Sequence, residues 1–163
     1  MSIPSSLLRP ITPADHADVL TLNERNVELL APLDEDKLTR MTGIADRASV
    51  ITHQNSFAGF VITFTAGTAY DSPNYQWYAD TYDSFYYLDR IVLHDDFRRL
   101  GLGSIAYDEL EGRARELAPR LALEVNLDPP NEPSLAFHRK RGYEQIGEAM
   151  AGEHLVAMLV KTF

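Results

Sequence analysis

One stretch of the sequence combines basic residues and glycines in a spacing that suits the binding of an anion. Arg98, Gly101 and Gly103 form the pattern Arg-x-x-Gly-x-Gly, between an apolar run and apolar residues at helical spacing. The first backbone N–H groups of a helix have no partner inside it, and the helix dipole favours negative charge there. Because glycine has no Cβ, a phosphate can approach its backbone closely. The stretch therefore predicts a phosphate-binding loop at a strand–helix junction.

Two other phosphate-binding motifs fit this stretch less well. A dinucleotide-binding fingerprint has a third glycine where Ala106 stands, which its looser form tolerates, but the strand lies far from the glycines. A P-loop requires a lysine after its last glycine, and here Gly103 is followed by Ser104. In the alternative interpretation, the stretch binds no ligand and is a surface turn with two glycines at a helix start.

Two carboxylates are candidates for acid–base chemistry. Glu124 interrupts an otherwise apolar strand over residues 121–127, where burial would raise the pKa of a carboxyl toward neutrality. Asp89 lies on a strand predicted over residues 85–93 and is the rival candidate for a general base. Either carboxylate could instead belong to a structural ion pair, for example with Arg90 or Arg98.

Half of the aromatic residues of the chain lie between residues 70 and 87, with three aspartates and no basic residue among them. The sequence Ser72-Pro73-Asn74 predicts a loop there. Aromatic faces and carboxylates suit a cationic amine, which makes five residues candidates for binding it: Tyr70, Asp71, Tyr75, Trp77 and Tyr87. The structural alternatives are a packed surface loop or a contact in a homodimer.

Strands and helices alternate along the rest of the chain. Apolar periodicity, turn residues and capping residues predict strands over residues 7–11, 48–52, 57–65, 85–93, 121–127, 143–148 and 155–161. Similar signals predict helices over residues 12–26, 34–44, 100–117 and 134–141. Gly59, inside a strand pattern, indicates a bulge or a close approach of another backbone.

A second motif lies downstream of the glycines. Asn131 is followed three positions later by the small residue Ser134, then by the aromatic Phe137 and the pair Gly142-Tyr143. In this order, the two motifs resemble motifs A and B of the GNAT N-acetyltransferases, specifically over about residues 85–148. The resemblance implies an α/β fold with flanking helices and a mixed central sheet of about six to seven strands. It also implies that the strands splay at an acyl-CoA cleft around residues 91 and 124.

The resemblance implies acetyl-CoA as co-substrate. It implies that the pantetheine arm and pyrophosphate bind at the strand end and loop: Ile91, Val92, Leu93, Arg98, Arg99, Leu100, Gly101, Leu102, Gly103 and Ser104. Motif B adds Asn131, Ser134, Phe137, His138 and Lys140.

The resemblance also implies catalytic roles. In much of the family a tyrosine four residues before the Gly-Phe pair protonates the departing thiolate, and His138 occupies that position here. Imidazole can donate a proton near neutral pH, so His138 is the candidate acid. Glu124 resembles in position a carboxylate used by some protein N-terminal acetyltransferases of this fold, and it is the favoured candidate base.

The function predicted is transfer of an acetyl group to a primary amine of a small molecule or peptide. Two alternatives stay open. One is a non-catalytic domain of the same fold that binds or senses acyl-CoA, and the other is an acyltransferase for a longer acyl chain or a hydroxyl acceptor.

Composition limits the remaining possibilities. The 163 residues predict a single domain over residues 1–163, and the absence of cysteine excludes disulfides and a thiol nucleophile. A net charge of −9 argues against nucleic acid or an anionic membrane as partner. The histidines lack metal-ligand spacing, so no metal is expected. The first residues do not have the character of a signal peptide and no apolar run is long enough for a membrane span, so a cytoplasmic location is expected.

Overall fold

The structure is a computed structural model, and it describes residues 7–163. Its strands are β1 (Leu8–Pro10), β2 (Arg47–His53), β3 (Ser56–Thr65), β4 (Tyr86–Leu93), β5 (Arg120–Asp128), β6 (Glu144–Ala151) and β7 (His154–Thr162). Its α-helices are α1 (His16–Arg25), α2 (Glu35–Ile44), α3 (Pro73–Thr81), α4 (Leu102–Leu117) and α5 (Glu132–Lys140). Short 3-10 helices precede α1 and α4, at Pro13–Asp15 and Asp95–Phe97.

The strands form one seven-stranded sheet in the order β1-β2-β3-β4-β5-β7-β6. Strand β4 pairs with β5 in parallel, whereas the pairs β1–β2, β2–β3, β5–β7 and β6–β7 are antiparallel. The α/β fold with a mixed sheet of about six to seven strands is thereby confirmed. The predicted splay of the strands at a cleft stays a prediction.

The chain divides into two compact units, so the single domain over residues 1–163 stays a prediction. The first unit comprises the described residues up to Thr63 together with Arg90–Glu111. One of its apolar clusters joins β2, β3 and the first turns of α4, through Ile51, Ala58, Leu102 and Ala106. Gly59 confirms the expected close approach: a Cβ on this residue would lie 2.0 Å from the carbonyl oxygen of Val92.

The second unit comprises Phe64–Asp89 and Gly112–Phe163. Here the structure corrects the sequence interpretation, because the segment predicted as a loop at Ser72-Pro73-Asn74 begins helix α3. The Ser72 side chain caps the helix by accepting a hydrogen bond from the N–H of Tyr75 at 3.4 Å, and Pro73 occupies the first helical turn. Both residue types are typical of helix starts as well as of loops, and the loop interpretation was therefore wrong.

The other predicted elements are confirmed, most with ends that differ by one or two residues. Strand β6 ends three residues later than predicted, and the helix predicted over residues 12–26 is a 3-10 helix followed by α1. Helix α4 begins two residues later than predicted, and α5 begins two residues earlier.

Within residues 7–163, no helix has the length and apolar character needed to cross a membrane.

Candidate active site

The phosphate loop, which we define as residues 98–104, belongs to the first unit and leads into α4. Gly101 has a φ of +78°, in the left-handed region that favours glycine. Arg99 also has a left-handed φ, of +66°. The side chains of Arg98 and Arg99 are exposed, and Arg98 pairs with Asp95 at 3.3 Å. The loop thus presents two guanidinium groups beside the start of a long helix.

The glycines of the phosphate loop have open space in front of them. A Cβ on Gly101 would meet no atom within 4 Å, and one on Gly103 would make only an ordinary contact with Leu93 at 3.9 Å. Packing within the chain therefore does not require glycine at either position. Exposed backbone, arginines and the unpaired N–H groups of a helix start are a donor set that fits a diphosphate. The acetyl-CoA site predicted at this loop is compatible with the structure.

The second unit contains a carboxylate whose side chain is held by hydrogen bonds. The hydroxyl of Tyr87 lies 2.7 and 2.8 Å from the two carboxylate oxygens of Glu124, and the amide of Asn74 donates to Glu124 Oε1 at 3.1 Å. Strand register explains the first contact: Tyr87 lies opposite Ala122, and Glu124 is on the same face of β5 as Ala122. The half-buried Glu124 is therefore held as a hydrogen-bond acceptor.

Tyr87 stays a proton donor over a wide pH range. Burial, together with the nearby charges of Glu124 and Asp89, raises its pKa well above the ordinary value of 10.0. Asp89, two positions further along β4 and on the same face, accepts a hydrogen bond from the hydroxyl of Tyr70 at 2.6 Å. We call these five residues the carboxylate cluster: Tyr70, Asn74, Tyr87, Asp89 and Glu124.

Helix α3 brings Asn74 into this cluster because two buried tyrosines fasten it. The hydroxyl of Tyr75 donates to the carbonyl of Thr65 at 2.7 Å and accepts from the N–H of Thr68 at 3.0 Å. The hydroxyl of Tyr78 lies 2.6 Å from the carbonyl oxygen of Leu123, the neighbour of Glu124. Asn74 and Tyr78 were missed as site residues because their segment was interpreted as a loop. The signals that could have found them are the helix-start residues and the spacing of two tyrosines three apart.

The residues predicted to bind an amine have different surroundings. Tyr70, Tyr75 and Tyr87 are buried, and Tyr70 stacks on Phe64 with ring centroids 4.0 Å apart. The buried rings therefore act in packing and hydrogen bonding.

Asp71 is exposed, and Trp77 is half-buried against Tyr78. Amine binding by these five residues stays a prediction.

Helix α5 holds the predicted motif B residues. Asn131 caps the helix by accepting from the N–H of Ser134 at 3.3 Å, while Phe137 is half-buried and Lys140 is exposed. The buried His138 places its Nδ1 2.7 Å from the carbonyl oxygen of Ser134. Because a carbonyl only accepts, Nδ1 carries a proton, and the Nε2 of a neutral ring is then an acceptor. His138 can act as an acid at Nε2 only in its doubly protonated form.

Comparison with known proteins places the chain in a family. Residues 22–143 match the model of the Acetyltransferase (GNAT) family. The match spans well over half of the chain, and the chain belongs to this family. The class of activity is therefore that of an acyltransferase of the N-acetyltransferase type, and acetyl-CoA is the co-substrate that the family implies.

Solved structures share the fold at low sequence identity. Ard1 from Thermoplasma volcanium is 17% identical, with a TM-score of 0.75 and 95% of each chain covered. Arabidopsis thaliana Naa50, solved with the bisubstrate analogue CoA-Ac-MVNAL, is 12% identical, with a TM-score of 0.71 and coverage of 96% and 97%. The ribosomal-protein-S18-alanine N-acetyltransferase from Escherichia coli is 16% identical, with a TM-score of 0.69 and coverage of 95% and 92%. No curated protein is significantly similar in sequence.

Within residues 7–163, no group of three or more His, Cys, Asp or Glu side chains is arranged to hold a metal ion.

Proposed function

We propose that the protein transfers the acetyl group of acetyl-CoA to a primary amine of a small molecule or peptide, with Glu124 as the general base. The observation that carries the proposal is the half-buried carboxylate of Glu124, oriented by Tyr87 and Asn74. An amine attacks only after losing its ammonium proton, and a fixed carboxylate can accept that proton directly or through one water.

The donor side of the proposal rests on the phosphate loop. Acetyl-CoA, when bound, supplies an acetyl group activated as a thioester. Arg98, Arg99 and the N–H groups at the start of α4 would hold its diphosphate, and the left-handed Gly101 keeps the backbone open to it. The predicted contacts of Ile91, Val92 and Leu93 with the pantetheine arm belong to the same proposal.

Two further catalytic roles belong to the proposal. His138 would donate a proton to the departing thiolate, which requires its imidazolium form because Nδ1 already donates to Ser134. Asp89, bonded by Tyr70, is the second carboxylate available as a base.

The amine acceptor is proposed from chemistry and from similar structures. One similar structure was solved with a bisubstrate analogue that contains peptide residues, and another is named for acetylating an alanine of a ribosomal protein. These names support a peptide amine as one acceptor class, beside small amines. The cytoplasmic location and a possible homodimer remain predictions from the sequence.

The test is release of free thiol from acetyl-CoA with a panel of amines. The panel contains small primary amines, free amino acids and short peptides with an unblocked N-terminus, and a reaction without acceptor is the blank. We expect at least one amine to raise the rate above the blank, with the acetylated amine identified by mass spectrometry. If acetyl-CoA binds but no amine raises the rate, transfer to an amine is contradicted and a non-catalytic acyl-CoA binding domain is favoured.

A further inference from the structure

We infer that Asn74, on helix α3, is a positioning residue that orients the carboxylate of Glu124, an inference that rests on the proposed role of Glu124 as the base. Asn74 reaches Glu124 across 50 residues of sequence, with its amide nitrogen 3.1 Å from Oε1. The chemical group that it positions is the proton acceptor of the reaction.

The carboxylate of a glutamate needs such an external donor to be fixed in rotation. Its terminal torsion is broad and nearly two-fold, so the side chain alone does not select one orientation. The hydroxyl of Tyr87 lies at nearly equal distances from both oxygens, 2.7 and 2.8 Å, and does not distinguish them. The amide of Asn74 donates to Oε1 at 3.1 Å, and this contact favours the rotation that keeps a carboxylate oxygen beside the amide.

Helix α3 is anchored firmly enough to impose that orientation. Tyr75 and Tyr78 have 1% and 0% of their surface exposed, and their hydroxyls bond to backbone atoms of the same unit. Trp77 packs so closely on β6 that a Cβ at Gly147 would lie 2.8 Å from its ring. Asn74 directly follows Pro73, whose ring restricts its own φ in the first turn of the helix. The amide thus projects from a fixed turn of a fixed helix.

Several ionisable groups lie beside the Tyr87–Glu124 pair. Strand β4 contributes Tyr87 and Asp89, α3 contributes Tyr78, and the segment before α3 contributes Tyr70. Burial raises the pKa of both Tyr78 and Tyr87 above the ordinary value, so these phenols stay neutral at acid and neutral pH. The phenols therefore add no change of charge to the cluster in this pH range.

The experiment measures the titration midpoint of Glu124 by carboxyl-carbon NMR in the full chain without ligand. Asn74→Asp brings a second carboxyl about 3 Å from Glu124, and two such groups do not ionise together, so we expect the midpoint to rise by about one pH unit. Asn74→Leu removes a donor to the charged form and should raise the midpoint by a smaller amount. Aspartate is favourable in a first helical turn, so Asn74→Asp keeps α3 intact.

The matched controls are Gln76→Glu and Gln76→Leu. Gln76 is exposed on the same helix and donates to the carbonyl of Tyr70 at 2.8 Å. These variants likewise replace a side-chain amide by a carboxyl or an apolar group, and they should shift the midpoint of Glu124 by much less than the Asn74 variants do. An equal midpoint in Asn74→Asp and Gln76→Glu would overturn the inference.

A second readout uses the acceptor identified by thiol release. We expect the acid limb of the kcat–pH profile to move in the Asn74 variants by the same shift as the NMR midpoint, with the Kd for acetyl-CoA unchanged. A merely structural role of Asn74 would lower kcat at all pH values without moving this limb, and that result would contradict the inference.

The failure of the inference is distinguishable from failure of the proposed base. If Glu124→Gln keeps full turnover, Glu124 is not the general base and the proposed mechanism of acetyl transfer is wrong. In the other outcome, Glu124→Gln loses turnover while Asn74→Asp moves neither the titration midpoint of Glu124 nor the acid limb of the kcat–pH profile. In that case Glu124 is still supported as the base, and only the positioning role of Asn74 is wrong.

Discussion

The phosphate loop of the first unit and the carboxylate cluster of the second are built in opposite ways. The loop consists of consecutive, mostly exposed residues whose use depends on backbone conformation, with a left-handed Gly101 before a helix start. The cluster joins residues far apart in sequence, such as Tyr87 and Glu124, which are 37 residues apart. Anion binding is thus encoded in a short local pattern, whereas acid–base chemistry depends on tertiary packing. Changes in one region should leave the function of the other intact.

The largest expected effect comes from Gly101→Glu. This change puts a negative charge where the diphosphate is proposed to bind and forces a side chain onto a left-handed backbone. We expect the Kd for acetyl-CoA to rise by about 100-fold or more, which is roughly 3 kcal/mol, in a calorimetric titration.

The control for this change is Gly152→Glu, in the turn between β6 and β7. Gly152 has a φ of +61° and open space for a Cβ, so the strain and added charge are matched. The control should bind acetyl-CoA normally, and an equal loss in both variants would contradict the assignment of the phosphate loop.

Displacing helix α3 should damage the carboxylate cluster alone. Gly147→Ala places a Cβ 2.8 Å from the ring of Trp77, and such overpacking typically costs about 1–3 kcal/mol of the free energy of unfolding in a urea titration. We expect kcat to fall as well, because α3 carries Asn74, while the Kd for acetyl-CoA stays unchanged. Gly112→Ala, at an exposed helix position with open space, should instead stabilise by about 0.5–1 kcal/mol. Destabilisation of both variants alike would argue against close packing of Trp77 on β6.

Alkaline pH should weaken the fold through the buried tyrosines of the second unit. In the unfolded chain Tyr78 and Tyr87 ionise near their ordinary pKa of 10.0, whereas burial keeps both protonated in the folded chain. The unfolded state then binds fewer protons, so the free energy of unfolding falls as pH rises above about 10. Tyr78→Phe should reduce that slope by about 1.4 kcal/mol per pH unit, measured by urea unfolding at several pH values. An unchanged slope would show that Tyr78 does not stay protonated.

The smallest expected effect concerns the charge balance of the phosphate loop. Asp95 pairs with Arg98 at 3.3 Å, and both side chains are exposed. Asp95→Asn should free Arg98 and tighten acetyl-CoA binding by about 2–5-fold at low salt, with the gain fading at high salt. Asp80→Asn, an equal change of charge on α3, should have no effect. A gain that persists at high salt would mean that charge is not its cause.

The sequence predicted these two regions unequally for a physical reason. The strand–helix junction at the phosphate loop and most of the alternating strands and helices follow from local periodicity and from glycine, so their positions could be predicted to within a few residues. Glu124 was foreseen because a charge in an apolar strand is conspicuous. Its partners Asn74 and Tyr87 were not foreseen as partners, because contacts over 50 and 37 residues depend on the strand register and on α3.

Helix α3 was not predicted because the residues at its start are compatible with two kinds of structure. Ser72 and Pro73 occur in loops as well as at helix starts, and the aromatic residues that follow favour strands when judged by propensity. In the helix, the side chains of Tyr75 and Tyr78 are buried and their hydroxyls bond to backbone carbonyls. These tertiary contacts are not visible in the local sequence.

The role of Glu124 as the general base is tested most directly with the variant Glu124→Gln. Its kcat, with the acceptor found by thiol release, and its Kd for acetyl-CoA are measured together. The substitution keeps the shape of the side chain and removes the proton acceptor. We predict that kcat falls by about 100-fold or more while the Kd for acetyl-CoA stays within about two-fold of the unchanged protein. An undiminished kcat in Glu124→Gln would contradict the role of Glu124 as the general base.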